Sequence, residues 1–283
     1  MKKTSSFIIG IPAVVWQISF FYIPLLFVIF SSLIRHSFDK NISFTLENFL
    51  YLGKWFYLQV ILNSFILAII VACICILLAY PFSYFVTFHA KRFKNLYLFF
   101  LIVPFWTNFL LHVYAWFYVL EKNGVVNHLL QSLGIIKTPI PFLNSPFAII
   151  LMMVYYYLPF TVIPIYSALE RFDRKLLEAS LNLGASFNKT FLRILFPITM
   201  PGVRTAFFLA FIPSFGEFII PELMGGDKTY FVGNALTLFV LGEGTEGLAA
   251  AFTIMSTIAL LLGAGLFYWL IHSLFTQPQN KVR

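Results

Sequence analysis

Long apolar runs alternate with short polar stretches along this chain. Six runs stand out, at about residues 7–34, 58–87, 95–119, 147–169, 201–224 and 249–275, each close to the roughly 20 residues a helix needs to cross a bilayer. The fourth and fifth carry paired prolines, Pro159 with Pro164 and Pro213 with Pro221, so kinks are expected there. The first run follows Lys2 and Lys3 and is longer than the apolar core of a cleavable leader, with no small-residue cleavage site behind it. It reads as a retained span. The pattern predicts an all-α membrane protein of six transmembrane helices, organised as a single domain over residues 1–283.

One polar stretch, about residues 170–200, has a pattern of its own: "EASLNLGASFNKTFLRILFPITMPG". Asp173 is placed to cap a short helix through "RKLLEASLNL", with Gly184 as its stop. Ser186 is placed to cap a second helix, "FNKTFLRILF", which Pro197 is expected to end. Leu177, Leu181 and Gly184 fall on one side of the first helix, with Glu178 and Asn182 beside them. A helix–glycine–helix elbow of this kind fits a groove on a partner protein, or it rests on the membrane surface.

Composition agrees with the runs. Hydrophobic residues make up 60% of the chain and charged residues 11%, with mean hydropathy +0.88, whereas soluble domains carry roughly a quarter charged residues. Basic residues set orientation. Lys2, Lys3, Lys91, Arg92, Lys94, Arg171, Arg174, Lys175, Lys189, Arg193, Arg204, Lys281 and Arg283 fall on one side of the alternating spans. Arg35, Lys40, Lys54, Lys122, Lys137 and Lys228 fall on the other. The larger group marks the cytoplasmic side, which puts both termini and the elbow inside. Asp39, Glu47, Glu121, Asp227, Glu243 and Glu246 then lie outside. The net charge of +8 is a topology signal and gives no support to nucleic-acid binding.

Several chemistries lack their residues. No GxxxxGK[ST] phosphate loop is present, so the chain is not expected to hydrolyse ATP itself or to bind a cofactor of its own. The five histidines are scattered, and no metal site is expected. Cys73 and Cys75, two apart on one helix, point in different directions and read as small buried apolar side chains.

Polar residues inside the spans are the candidates for function. Glu217 and Glu222 sit in the outer half of the fifth span, about 140° apart on an ideal helix. Each either lines a path or pairs with a polar group on a neighbour. Asn108 and His112, four apart, share one face of the third span. A neutral His112 hydrogen-bonded between helices is the plainer alternative. Trp106, Tyr114 and Trp116 offer cation–π surfaces, or collect at the membrane interface as amphipathic rings. Tyr155, Tyr156 and Tyr157 cover three directions of one helix and read mainly as packing.

The elbow resembles the "EAA…G…I-x-L-P" loop of ABC importer permeases, in Glu178-Ala179-Ser180, Gly184, Ile194 and Pro197, with Ser180 at the third position and Phe196 for the usual leucine. "VPFWTNFLLHVYAW" (103–116), "YYLPFTVIPIYSALERFDRKLLEASLNLGAS" (156–186) and "PSFGEFIIPELMGG" (213–226) are similar to the first permease of spermidine/putrescine importers. His112 stands where the resemblance leads one to expect an arginine. The resemblance implies a type I importer architecture with a cytoplasmic coupling helix, in a multi-pass inner-membrane protein. It implies that Leu177, Glu178, Ala179, Ser180, Gly184 and Ala185 form the ATPase-coupling surface. Implied partners are a cytoplasmic ABC ATPase dimer using ATP and Mg, a second homologous permease, and an extracytoplasmic polyamine-binding protein. Another cargo (phosphate, sulfate, ferric iron) is the alternative within the class. An ion-coupled secondary transporter is the alternative outside it, although no inverted repeat is evident.

Overall fold

The structure, a computed structural model, describes residues 3–36, 42–90, 92–226, 230–242 and 245–275. Of the charges used for orientation, Lys2, Asp39, Lys40, Lys91, Asp227, Lys228, Glu243, Lys281 and Arg283 lie outside the described residues. The elements are helical throughout, apart from a small antiparallel ribbon of β1 (Ile34–His36) and β2 (Ile42–Phe44), in which Ile34 pairs with Phe44. Five helical stretches are long and apolar enough to cross a membrane: Gly10–Ser32, Trp55–Phe88, Pro146–Glu170, Phe187–Gly216 and Glu246–Ile271. A sixth is a bent pair, Lys94–Trp106 with Phe109–Ser132. The six-span expectation holds, and the departures from it fall in the third and fifth spans.

In chain order the helices begin with α1 (Lys3–Gln17), a π-turn and α2 (Ile23–Ser32), which form the first span. Next come α3 (Glu47–Leu52) and the long α4 (Trp55–Phe88). The third span is α5 (Lys94–Ile102), a 3-10 turn (Val103–Trp106) and α6 (Phe109–Leu120), bent by 94°. This bend corrects the expectation that Asn108 and His112 share one helical face. Pro104 lacks the N–H that would continue α5, and Asn108 leaves the helix with extended backbone (φ −62, ψ 134) to cap α6. Behind it, α7 (Val125–Ser132) turns its one buried polar side chain, Asn127, inward to bond Glu121 O, Ile140 O and Ile140 N. Val125, Leu129 and Leu133 are left outward.

The remaining elements are α8 (Pro146–Glu170), α9 (Arg174–Asn182), α10 (Phe187–Thr190), a π-turn (Phe191–Leu195), α11 (Phe196–Gly216), α12 (Ile219–Gly225), α13 (Val232–Leu241) and α14 (Glu246–Phe275). Two expectations change here. The second elbow helix does not end at Pro197: it runs through the π-turn into the fifth span. Pro197 brings no N–H to bond the preceding turn, and the widened π-turn ahead of it accommodates the ring. The fifth span, expected to continue to about residue 224, instead breaks after Gly216, where Glu217 is extended (φ −65, ψ 133).

The chain divides into two compact units, one of Met1–Ile61 and Ala235–Ala259, the other of Leu62–Asn234 and Leu260–Arg283. In the first, Tyr57, Phe239 and Phe252 pack as an aromatic trio with ring centroids 5.7–6.0 Å apart. Asn48 ties α3 to Ser32 O and Ile34 O. In the second, α8 and α11 pack along their length around Ala79, Val162, Ile165, Leu169, Leu195 and Ala206. Small residues let these two backbones approach. A Cβ added at Gly202 would lie 2.5 Å from Ala168 Cβ and 2.7 Å from Pro164 O. Gly202→Ala is therefore expected to cost about 1–3 kcal/mol by overpacking. Melting in detergent should show it against Gly265→Ala, whose Cβ meets nothing within 4 Å. Equal melting temperatures would refute the close α8–α11 contact.

Candidate functional site

Three places gather the polar groups singled out by sequence: the elbow between α8 and α11, the break that ends α11, and the bend of the third span. The elbow opens with Asp173, whose carboxylate accepts from Lys175 N at 3.0 Å and caps α9 as expected. It closes with Gly184 at φ +82, a left-handed position that favours glycine. Gly184 N donates to Leu181 O and Ala185 N to Ser180 O, the paired bonds of a Schellman stop. Ser186 precedes α10 but makes no side-chain cap, in contrast to the expectation.

Two contacts hold the elbow to the helices behind it, and a third joins its own two helices. The Arg174 guanidinium lies over the Phe88 ring and its Nη2 donates to Thr87 O at 2.5 Å. Leu177 packs against the α8–α11 core. Ser180 Oγ and Thr190 Oγ1 meet at 2.6 Å, and both residues are buried. Ser180 therefore joins α9 to α10 and offers no surface to a partner. What faces outward is Glu178, Ala179, Leu181 and, most of all, Leu183, which is 88% exposed, with Phe187 and Leu192 beyond the turn. Ala185 is half-buried. An ordered, bolted-down turn thus presents a strip of uncovered apolar side chains.

The break holds Glu217. Its Oε1 accepts from Phe218 N at 3.2 Å and Ile219 N at 3.1 Å, and its Oε2 accepts from Tyr157 Oη at 2.9 Å. The carboxylate thereby satisfies backbone donors that the end of α11 sets free. A cavity of about 560 Å³ opens beside it, lined by Phe109, Tyr156, Tyr157, Phe160, Leu209, Pro213, Gly216, Glu217, Phe218 and Ile219. Glu222, on α12, is exposed and accepts from Asn234 Nδ2 at 2.5 Å. The two acids are therefore separated by a helix break and do not share one continuous helix.

His112 sits at the bend of the third span, half-buried. Its Nε2 lies 2.9 Å from Pro104 O and 2.6 Å from Thr107 Oγ1, and its Nδ1 lies 2.9 Å from Tyr155 Oη. A carbonyl only accepts, so Nε2 carries the hydrogen and, in the neutral ring, Nδ1 accepts the Tyr155 proton. The ring also stacks on Phe105 at 5.6 Å. His112 is thus the clamp between the bend and α8. Asn108 is occupied in capping Leu110 N at 2.8 Å. Trp106 and Tyr114 are exposed at the surface and do not reach the cavity lining.

The three consecutive tyrosines, read from sequence as packing, do separate jobs: Tyr155 bonds His112, Tyr156 lines the cavity, and Tyr157 bonds Glu217. The available signal was an intramembrane histidine and glutamate each needing a buried partner, with hydroxyls pointing three ways on the adjoining span.

Comparison with known proteins extends this picture over the chain. Residues 79–275 match the family described as "Binding-protein-dependent transport system inner membrane component". The chain is 38% identical over 289 residues to the spermidine/putrescine transport system permease protein PotB of Salmonella typhimurium (strain SL1344), covering 100% of this chain and 99% of that protein. It is 39% identical over 259 residues to the Escherichia coli (strain K12) protein of the same name, covering 90% and 93%. Among solved structures, a bacterial ABC transporter involved in the import of the acidic polysaccharide alginate aligns with TM-score 0.75 at 16% identity, over 97% of each chain. That likeness is one of fold.

The clamp is testable without transport. His112→Ala and Tyr155→Phe should each lower thermal stability in detergent, and the double variant should lose about 0.5–3 kcal/mol less than the sum. Strict additivity would mean that the 2.9 Å contact contributes nothing.

Proposed function

We propose a function from the premise that this chain belongs to the family of binding-protein-dependent transport system inner membrane components. It is a multi-pass inner-membrane permease, and its activity is to pass polyamines of the spermidine/putrescine type into the cytoplasm, driven by ATP hydrolysed on a separate subunit. Similarity to PotB proteins over the whole chain supports the cargo. The observation that carries the mechanism is the elbow: an ordered turn with exposed Leu181, Leu183 and Phe187, built onto the two helices that hold Tyr157 and Glu217.

In this reading the elbow faces the cytoplasm, as the basic residues indicate. Glu178, Ala179 and Leu183 seat in a cleft of an ABC ATPase dimer, which binds the ATP and Mg that this chain does not. A second, homologous permease completes the pore, and an extracytoplasmic polyamine-binding protein delivers the cargo. Closure of the ATPases on ATP pushes the elbow. Because α9 follows directly from α8 and α10 runs into α11, the push reaches the α8–α11 pair and the break at Glu217. The path passes Glu217, while Glu222 stands nearer the outer mouth. His112 and Asn108 hold the bent third span beside that path.

The deciding measurement is uptake of radiolabelled spermidine and putrescine by the reconstituted complex with and without ATP, with phosphate, sulfate and ferric iron as competitors. ATP-dependent polyamine uptake is expected. Uptake that follows an ion gradient and ignores ATP would sink the importer reading; ATP-driven movement of another solute would change the cargo. Gly184→Trp sharpens the test of coupling. A Cβ at Gly184 meets nothing within 4 Å, so the bulky ring projects into the docking surface rather than the fold, at a backbone cost of about 1–2 kcal/mol. Co-purification of the ATPase should fall at least tenfold while membrane insertion is retained. Undiminished co-purification would remove the elbow from the interface.

A further inference from the structure

The cavity at the break contains a carboxylate with capacity to spare. Glu217 receives one O–H on Oε2 and two N–H groups on Oε1. An ionised carboxylate offers about four acceptor positions, so one position on Oε2 is left open. Its partners among the described residues are all neutral, and it is the one charged side chain in the described cavity wall. A half-buried carboxylate held by neutral donors lacks a compensating positive charge.

The wall around it is aromatic. Phe109 and Tyr156 are 4.6 Å apart by ring centroids, Tyr156 and Tyr157 are 5.4 Å apart, and Tyr156 and Phe160 are 6.1 Å apart. Phe218 also lines the cavity. Ring faces attract a cation, and the same faces are apolar enough to receive methylene groups. The volume, about 560 Å³, is that of a small-ligand site.

We propose that this cavity binds one terminal alkylammonium group, with an ammonium N–H donated to the open position of Glu217 Oε2 and the alkyl stem laid on Tyr156, Phe109 and Phe160. This rests on the polyamine reading and deepens it. A single open acceptor takes one ammonium at a time, so a polyamine enters by its end and is handed on. The site requires both charge and an N–H. A neutral diol lacks the charge, and a quaternary ammonium lacks the donor.

The test uses the complete permease–ATPase complex in nanodiscs without the binding protein. Equilibrium binding of radiolabelled putrescine is measured, and ATP-driven uptake with the binding protein is measured on the same preparation. Saturable binding is expected, displaced by butylamine, weakly by the bis-trimethylammonium analogue of putrescine, and not by 1,4-butanediol. Glu217→Gln keeps an acceptor for the two backbone N–H groups but loses the charge, and should weaken binding about tenfold or more. Tyr156→Leu keeps the carboxylate and should weaken it about three- to tenfold. Unchanged affinity in both variants, or no saturable binding by the wild type, would overturn the site, while intact ATP-driven uptake would leave the importer reading standing. Binding sensitive to Glu217→Gln without any ATP-driven uptake would do the reverse. If Glu217→Gln assembles poorly, unchanged affinity in Tyr156→Leu alone discards the aromatic wall and with it the proposal.

Discussion

A backbone that leaves the helix inside a membrane exposes N–H and C=O groups where no water can take them, and each unsatisfied group costs several kcal/mol. Two of the six spans leave the helix, and each supplies side chains to make good the loss. At the bend of the third span, Pro104 O receives both Thr107 Oγ1 and His112 Nε2, and Leu110 N is taken by the Asn108 side chain. At the end of α11, Phe218 N and Ile219 N are taken by Glu217. The expensive intramembrane polar residues are therefore first of all the means by which the irregular backbone exists. Any part they play in transport is built on that duty.

The two breaks meet on α8. Tyr155 bonds the histidine that holds one, and Tyr157 bonds the glutamate that holds the other. Tyr156, between them, packs on Phe105, Phe109 and Phe160. One helix thus keeps the register of both interruptions through three consecutive side chains. Its other end runs by way of Asp173 into the elbow, and its close contact with α11 at Gly202 ties it to the helix whose end forms the break. From the second half of the elbow, α10, the π-turn and α11 run without interruption to Glu217.

How much of this was legible beforehand depended on the range of the interaction. The six apolar runs and the left-handed stop at Gly184 depend on neighbours a few residues apart, and the structure bears them out. The bend at Thr107 and the break at Glu217 do not. Proline and asparagine at 104 and 108 were visible, yet a proline in a membrane helix is often tolerated as a kink, and the contact that holds the 94° bend to α8 runs from His112 to Tyr155, 43 residues further on. In the same way Pro197 read as a stop because the π-turn ahead of it, which carries the buried Leu195, is not revealed by periodicity. Ser180 read as surface because its partner, Thr190, lies across the turn.

The same constraint bears on why a glutamate, and not an amide or hydroxyl, stands at residue 217. Two backbone donors and one phenol need three acceptor positions. Glutamine, with one carbonyl oxygen, could accept two of them but would turn its NH2 toward the Tyr157 hydroxyl. A carboxylate satisfies all three and has one position over, and it does so while keeping a negative charge beside a wall of rings. In the proposed reading, the residue that repairs the backbone most completely is also the one whose spare position would take an ammonium, so structural repair and cation selection would come from the same side chain.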